Sequence, residues 1–231
     1  MKKIVSFGDS FIWGTEIPGN RDGELAWPSL VAKKLKVDYT TCSVPGCGNE
    51  NIAQQIYSYF TNNSHKDVLA VINWTWALRW DFYIVNSESW VTLGPTCVPV
   101  KLENHVSITE ADRLISLYKD YAGNSTVWDR WRSLQAMYAA QSFLQQRGIV
   151  NVQTYMDKTL FVKDWHSPGY ISTLQDLVVT HLESWDGMNF LEWCEHNGHE
   201  ITKDTWHPLA SAHQDAAEFW GERYNKLLKE T

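Results

Sequence analysis

Three residue types in this chain could together perform nucleophilic catalysis. Ser10 follows Gly8 and Asp9 directly after a short apolar run, and Asp204 precedes His207 by three residues. A serine hydroxyl is a weak nucleophile that needs a base within hydrogen-bond reach, and that base needs a third group to orient it. On a tight turn, Asp204 can reach the ring nitrogen of His207 that faces away from the serine. The spacing therefore predicts a catalytic triad of serine, histidine and aspartate.

The elements that would position these residues alternate between strand and helix along the chain. Strand candidates span residues 2–7, 37–43, 68–72 and 149–155, and the first and third of these are apolar runs. Helical spacing of apolar residues covers 27–35, 49–60, 109–121, 125–146 and 209–228, and Asn49 suits the cap of the second of these helices. This alternation predicts a parallel sheet with right-handed crossovers, and it places Ser10 at the carboxyl edge of that sheet.

Two stretches do not follow the alternation. Residues 177–182 could form a fifth strand or a helix. Residues 77–109 contain Gly94, Pro95 and Pro99, which break regular structure and indicate an insertion or lid. With 231 residues and neither an internal repeat nor a linker, the chain is expected to form a single domain over 1–231.

Composition and charge weigh against several classes of partner. The formal net charge of −7 repels phosphate backbones, so nucleic acid is not expected as a partner. No apolar run approaches the roughly 20 residues that span a bilayer, so no membrane partner is expected. The apolar stretch at the start is cut by Gly8 and Asp9 and does not have the length of a signal peptide, which predicts a cytoplasmic protein.

Metals and cofactors are not expected either. His196 and His199 are three residues apart but lack the H-E-x-x-H arrangement of zinc peptidases, and the chain has no phosphate-cradling loop or dinucleotide fingerprint. The four cysteines show no paired CxxC spacing and are expected to be free thiols; they are Cys42, Cys47, Cys97 and Cys194.

Taken together, the motifs resemble those of the SGNH (GDSL-like) hydrolases. Gly8-Asp9-Ser10-Phe11 followed by Gly14 resembles the first block of that family, Ser43-Val44-Pro45-Gly46 with Asn49 resembles the second, and Asp204 to Pro208 resembles the last. Order and spacing match from residue 4 to about residue 220. The resemblance implies an α/β protein, a flavodoxin-like three-layer α/β/α sandwich with a mainly parallel sheet of about five strands. It also implies ester hydrolysis.

The same resemblance implies an oxyanion hole with three donors. Two would be the backbone N–H groups of Ser10 and Gly46, and the third an asparagine side chain from the third block. Here the sequence departs from the family, because Asn73-Trp74-Thr75-Trp76 stands where Gly-x-Asn-Asp is usual. Thr75 falls at the asparagine position and Asn73 at the glycine position, and either could donate. The substitution resembles a divergent subset of short SGNH-like proteins from bacteria and phages that carry a following arginine, here Arg79.

Three residues beside the predicted centre are candidates for binding substrate: Arg79, Trp74 and Asn49. Arg79 either clamps an anionic group or pairs with Asp81. Most of the thirteen tryptophans are expected to pack in the core and at its rim.

Loops rich in tryptophan would suit a sugar-bearing substrate. The predicted function is removal of a small acyl group from a small-molecule or carbohydrate ester, such as an O-acetyl group from carbohydrate. The alternative is a non-catalytic SGNH-like module, a carbohydrate-binding or virion structural component, which only the altered third block supports. The intact Ser10, Asp204 and His207 weigh against it.

Overall fold

A computed structural model describes residues 2–95, 102, 104–121, 126–164 and 167–230, with backbone alone for 225–230. The strands are β1 (Lys3–Gly8), β2 (Asp38–Thr41), β3 (Val68–Trp74), β4 (Trp80–Ile84), β5 (Ser89–Leu93) and β6 (Val150–Tyr155). The helices are α1 (Ser10–Trp13), α2 (Trp27–Leu35), α3 (Asn49–Asn62), α4 (Ile108–Tyr121), α5 (Thr126–Gln146), α6 (Gly169–Val179), α7 (Phe190–His196) and α8 (Ala210–Glu230).

Four of these strands form a parallel sheet in the order β2-β1-β3-β6. The predicted parallel sheet is confirmed, and all four strand candidates lie in it. Within the described ranges the sheet has four strands, whereas about five were expected. The fifth candidate, residues 177–182, instead begins inside α6 and continues into a turn.

Helices cover both faces of this sheet. α2 packs against α8 on one face, and α3 packs against α5 on the other. All seven residues of β3 are buried, as expected of a central strand covered on both sides. The fold is therefore the three-layer α/β/α arrangement that the sequence predicted.

Most large tryptophan side chains belong to this core. Trp27, Trp74, Trp185 and Trp220 are each less than 2% exposed. Trp27 and Trp220 stack on the α2/α8 side of the sheet, with ring centroids 6.0 Å apart. The abundance of tryptophan is thus largely a packing feature, as expected from the size of the side chain.

The predicted insertion contains a regular element that the sequence pattern did not reveal. Strands β4 and β5 form an antiparallel hairpin, and α4 begins at the end of the insertion. Residues 96–101 and 103 of this stretch lie outside the described ranges. The hairpin is bonded to the start of α3, because Asp81 accepts hydrogen bonds from the backbone N–H groups of Gly48 and Asn51, each at 2.9 Å.

Cys42, Cys47 and Cys194 are free thiols, as predicted, and Cys97 falls outside the described residues. Across the described helices, none combines the length and apolar character that crossing a membrane requires.

The end of β1 makes a specific stability prediction. Gly8 has φ of 153°, and a Cβ built there would lie 2.6 Å from Ile12 Cγ2 and 2.8 Å from the carbonyl oxygen of Asn73. We expect Gly8→Ala to lower the free energy of unfolding by about 2–5 kcal/mol, measured by urea denaturation, because strain and overpacking add.

Gly187→Ala is the matched control for this prediction. Gly187 has φ of 85°, but its added Cβ would meet nothing within 4 Å. It should therefore lose only the backbone term of about 1–2 kcal/mol. Equal losses in the two variants would show that the close approach at Gly8 contributes nothing.

Candidate active site

Ser10 lies where β1 ends and the short helix α1 begins. Asp9 caps this helix, and its Oδ1 accepts a hydrogen bond from the backbone N–H of Phe11 at 3.0 Å. Ser10 is 5% exposed. Because the strands are parallel, this point is the carboxyl edge of the sheet, where open α/β folds place their ligands.

The loop after β2 is tied directly to the end of β1. The backbone N–H of Val44 and the thiol of Cys47 both donate to the carbonyl oxygen of Gly8, at 2.9 and 3.3 Å. Burial raises the pKa of the Cys47 thiol well above its usual value, so it remains a neutral donor. These bonds attach the loop after β2 to Gly8, which lies two residues before Ser10 in the sequence.

Within that loop, Pro45 and Gly46 occupy the centre of a tight turn closed by the Cys47 N–H bond to the carbonyl of Val44, at 3.1 Å. Gly46 has φ of 83°, which a type II turn requires at its third position. The backbone N–H of Gly46 donates to no acceptor in the described part of the chain, and Gly46 lies on the surface of a cleft. Its amide is therefore available to an incoming group.

A buried ion pair joins this loop to the loop after β3. The Asp9 carboxylate is fully buried, and its Oδ2 accepts hydrogen bonds from Arg79 Nη1 at 2.7 Å and from the Thr75 hydroxyl at 2.6 Å. Arg79 Nη1 also lies 2.8 Å from the Thr75 hydroxyl oxygen and 3.0 Å from the Cys47 carbonyl oxygen. One guanidinium thus contacts all three loops around Ser10.

This geometry answers the question left open for Arg79. It pairs with Asp9 and not with Asp81, whose carboxylate instead accepts from the start of α3 and from the Thr92 hydroxyl at 2.5 Å. The Arg79 side chain is 18% exposed and borders the cleft, so a substrate could reach it only at its edge.

The third-block candidates for the oxyanion hole differ in their hydrogen bonding. The Thr75 hydroxyl hydrogen points to Asp9, so it is not free for another acceptor. The Asn73 side chain is 3% exposed; its Oδ1 accepts from the Thr154 hydroxyl at 2.8 Å, and its Nδ2 has no partner among the described residues. Asn73 pairs with Gly8 across β1 and β3, two residues before the nucleophile position. The unpaired donor is therefore Asn73.

Two residues expected to bind substrate occupy buried positions instead. Asn49 is fully buried, and its side-chain amide bonds both backbone groups of Thr75: Oδ1 accepts from the N–H at 2.8 Å and Nδ2 donates to the C=O at 3.2 Å. Asn49 does not cap α3 either, because the cap is Gly48. Trp74 is 0% exposed and donates from its indole N–H to Gln153 at 2.8 Å. Neither side chain offers a surface to a substrate.

His207 is held at the base of a tight loop. Its backbone N–H donates to the Thr202 hydroxyl at 2.9 Å, and its carbonyl accepts from the Thr202 N–H at 3.0 Å. The imidazole lies beside Phe11, the residue after the nucleophile, with ring centroids 5.1 Å apart. The fold thus brings His207 to the Ser10 segment, although no hydrogen bond joins the two side chains in these described loops.

The carboxylate nearest to the imidazole is not the one that the sequence predicted. Asp204 is exposed, and its carboxylate does not come within 4.0 Å of either ring nitrogen of His207. Glu16 Oε2 lies 3.5 Å from His207 Nδ1. No sequence signal pointed to Glu16, which lies in a loop rich in glycine and proline.

A cleft of about 570 Å³ opens beside these loops, between the Pro45–Gly46 turn and the β4–β5 hairpin. Its wall includes the rings of Trp76 and Trp90 together with polar groups of Asn51, Thr92 and Asp157. Asp157 lies two residues after the end of β6 and accepts from the backbone N–H of Ala77 at 3.0 Å. The sequence did not indicate these residues as the lining of a cleft, because the hairpin that supplies Trp90 and Thr92 was not predicted.

Within the ranges that the structure describes, no three histidine, cysteine, aspartate or glutamate side chains form a group that could hold a metal ion. The remaining histidine near the site, His213, is fully buried and accepts a hydrogen bond from the backbone N–H of Trp27 at Nδ1, at 3.1 Å. Burial lowers its pKa to about 3, so it is neutral at ordinary pH and packs as a structural residue.

No protein-family model and no curated protein matches the chain. Solved structures do. The psychrotrophic esterase EstA from Pseudoalteromonas sp. superposes with a TM-score of 0.53 at 11% identity, covering 99% of this chain and 100% of that one. A lipolytic protein of the G-D-S-L family from Veillonella parvula gives 0.51 at 11% identity, with coverage of 96% and 97%. A carbohydrate esterase family 2 enzyme from Corynascus thermopiles gives 0.51 at 14%, with coverage of 99% and 67%. The chain therefore has the fold of the G-D-S-L, or SGNH-type, hydrolases.

The Asp9–Arg79 pair makes a second stability prediction. Arg79→Met would leave the buried Asp9 carboxylate without its cation, and we expect unfolding free energy to fall by about 3–5 kcal/mol in urea denaturation. The double variant Asp9→Asn/Arg79→Met should lose much less unfolding free energy than the two single variants lose in sum, because the pair acts as a unit.

Lys163→Met provides the control, since Lys163 pairs with Asp176 at 2.5 Å with both side chains more than half exposed. Loss of an exposed pair should cost under about 1 kcal/mol. If Arg79→Met cost no more than this control, the ion pair would not be what fastens the three loops.

Proposed function

We propose that this protein is a serine ester hydrolase in which Ser10 is the nucleophile and His207 its general base. The observation that carries this proposal is a set of three unpaired donors on segments attached to Gly8. The backbone N–H groups of Ser10 and Gly46 and the side-chain Nδ2 of Asn73 have no acceptor in the described residues, and all three belong to such segments. Gly46 is exposed, whereas Asn73 Nδ2 is buried, and buried donors are rarely left unpaired without a functional reason.

These donors suit the chemistry of acyl transfer. When the Ser10 oxygen attacks an ester carbonyl, negative charge develops on the carbonyl oxygen, and preset donors stabilise it by about 3–4 kcal/mol each. His207 takes the hydroxyl proton during attack and returns it to the departing alkoxide, which leaves as an alcohol. Water then attacks the acyl-enzyme while His207 takes its proton. The tetrahedral intermediate collapses by breaking the bond to Ser10 Oγ, His207 returns the proton to that oxygen, and the carboxylic acid leaves.

The absence of a Ser10–His207 hydrogen bond fits an unliganded site. Catalytic hydrogen bonds are often long in that state and tighten when the substrate binds. The packing of the His207 ring against Phe11, the residue after Ser10, supports a role for His207 as the base of Ser10.

The cleft, which is lined by the Gly46 turn but not by Ser10 or His207, suits the sugar-bearing alcohol part of an ester. Trp76 and Trp90 offer ring surface, and Asn51, Thr92 and Asp157 offer hydrogen-bonding groups, a combination typical of sites that orient polar ligands against apolar walls. A carbohydrate esterase is among the structures that share this fold. O-acetyl carbohydrate is therefore the substrate class that we propose.

Labelling with a fluorophosphonate probe tests the proposed function directly. The probe should attach to Ser10, and Ser10→Ala or His207→Ala should lower turnover of acetylated sugars or short-chain p-nitrophenyl esters by at least about 10³-fold, because members of such a triad act together. Ser64→Ala and His196→Ala change exposed residues of the same types and should leave turnover unchanged. A folded wild-type protein that the probe does not label would instead be a non-catalytic binding module.

A second prediction concerns the third oxyanion donor. Asn73→Ala removes the unpaired Nδ2 and should lower kcat by about 10²–10³-fold. Thr75→Val keeps the shape of Thr75 and removes a hydroxyl that serves Asp9, so it should lower the melting temperature and change kcat by less than about 10-fold. The reverse ranking of the two variants in kcat would make Thr75 the donor.

A further inference from the structure

Glu16 and His207 approach each other from two separate loops. Glu16 Oε2 is 3.5 Å from His207 Nδ1, and the imidazole is 13% exposed. Nδ1 itself is buried and has no hydrogen-bond acceptor among the described residues. In a triad, one ring nitrogen of the histidine faces away from the nucleophile. Here Nδ1, the candidate for that nitrogen, faces a carboxylate supplied by the loop after α1.

A chain of hydroxyl groups fixes that carboxylate. The His207 N–H donates to the Thr202 hydroxyl, which lies 2.7 Å from the Thr205 hydroxyl, and the Thr205 hydroxyl donates to Glu16 Oε2 at 2.5 Å. Each group in the series donates to the next. The loop that carries His207 therefore binds Glu16 through its own side chains as well as through the imidazole.

Backbone strain flanks the contact on both sides. Glu16 has φ of 70° and Trp206 has φ of 61°, and both lie in the left-handed region that residues other than glycine seldom adopt. Such conformations cost about 1–3 kcal/mol and persist where the surrounding structure holds them, which is commonly at functional sites. One such residue on each side of the His207 imidazole indicates that the surrounding structure holds the contact between Glu16 and His207 in place.

The charge of Glu16 suits a partner for an imidazolium. The hydrogen bond from Thr205 holds the pKa of the Glu16 carboxyl below its usual value, so it is ionised wherever the imidazole can gain a proton. Its side chain is 37% exposed, and screening by solvent therefore weakens the interaction relative to a buried pair.

We propose that Glu16, and not Asp204, is the positioning residue that orients His207 and stabilises its protonated form when Ser10 reacts. The proposal rests on the proposed esterase function. It concerns a carboxylate that acts through the imidazole and does not touch the substrate.

The test compares Glu16→Gln with Asp204→Asn, which remove one charge each from the two loops without changing side-chain shape. The readout is the rate at which a fluorophosphonate labels Ser10 as a function of pH. Glu16→Gln should slow labelling at neutral pH by about 10²-fold, less than the loss in fully buried triads. Asp204→Asn should stay within about threefold of wild type because its carboxylate is exposed and does not come within 4.0 Å of either ring nitrogen.

The pH profile separates positioning from a general structural role. A neighbouring negative charge favours the protonated imidazole, so its removal should move the acid limb of the Glu16→Gln labelling profile to lower pH. Other titratable groups near the ring are His213, which is neutral because burial lowers its pKa to about 3, and the exposed Lys203 and Asp204 of the same loop. Asp204→Asn should leave the acid limb in place.

The outcomes are distinguishable. Failure of the wild-type protein to be labelled would refute the esterase function itself. Labelled wild type with an unaffected Glu16→Gln variant, or with the loss in Asp204→Asn instead, would overturn the role of Glu16. Slow labelling of Glu16→Gln without a shifted acid limb would also overturn the role of Glu16, since misfolding alone would slow labelling without moving the acid limb. Glu16→Asp keeps the charge and should keep the wild-type acid limb. For esters that the protein hydrolyses, Glu16→Gln should lower kcat and leave KM unchanged.

Discussion

The buried ion pair between Asp9 and Arg79 is the interaction on which the geometry of the site depends. A fully buried carboxylate is tolerated only when charge and hydrogen bonds replace its lost hydration. Asp9 receives one backbone N–H, one hydroxyl and one guanidinium N–H, which satisfies both of its oxygens. Breaking any of these bonds leaves charge uncompensated in the interior, so the loops that supply them are held at fixed positions.

That requirement explains why three segments distant in sequence meet at Ser10. Asp9 caps the helix that begins with Ser10, Thr75 begins the loop after β3, and Cys47 offers its carbonyl from the loop after β2. Arg79 reaches all three with one nitrogen. Its own carbonyl oxygen accepts from Arg132 of α5 at 3.2 Å, which ties the cluster to the outer helical layer. The nucleophile and the turn at Gly46 are thus positioned by charge compensation as much as by the sheet.

Sequence patterns predicted the layers of this protein better than its site. The strands β1 and β3 were evident because apolar runs buried between two helical layers have no polar alternation. The β4–β5 hairpin was not predicted, because its exposed and half-buried side chains give no such run and its role depends on Asp81 capping a distant helix. Likewise, nothing in the local sequence shows that the side-chain oxygen and nitrogen of Asn49 both form hydrogen bonds to the backbone of Thr75.

The difference between Asp204 and Glu16 has the same origin. A carboxylate three residues before a histidine can reach its ring only if the intervening backbone turns both side chains to one side. Here Trp206 adopts a left-handed conformation and the Thr202–His207 backbone pair closes the loop, so Asp204 is left at the exposed tip. The space beside Nδ1 is filled from another loop, where Gly14 also has positive φ and a Cβ would come within 2.7 Å of Ile17. The residue facing the His207 imidazole is therefore decided by how two loops close, which spacing along one of them does not determine.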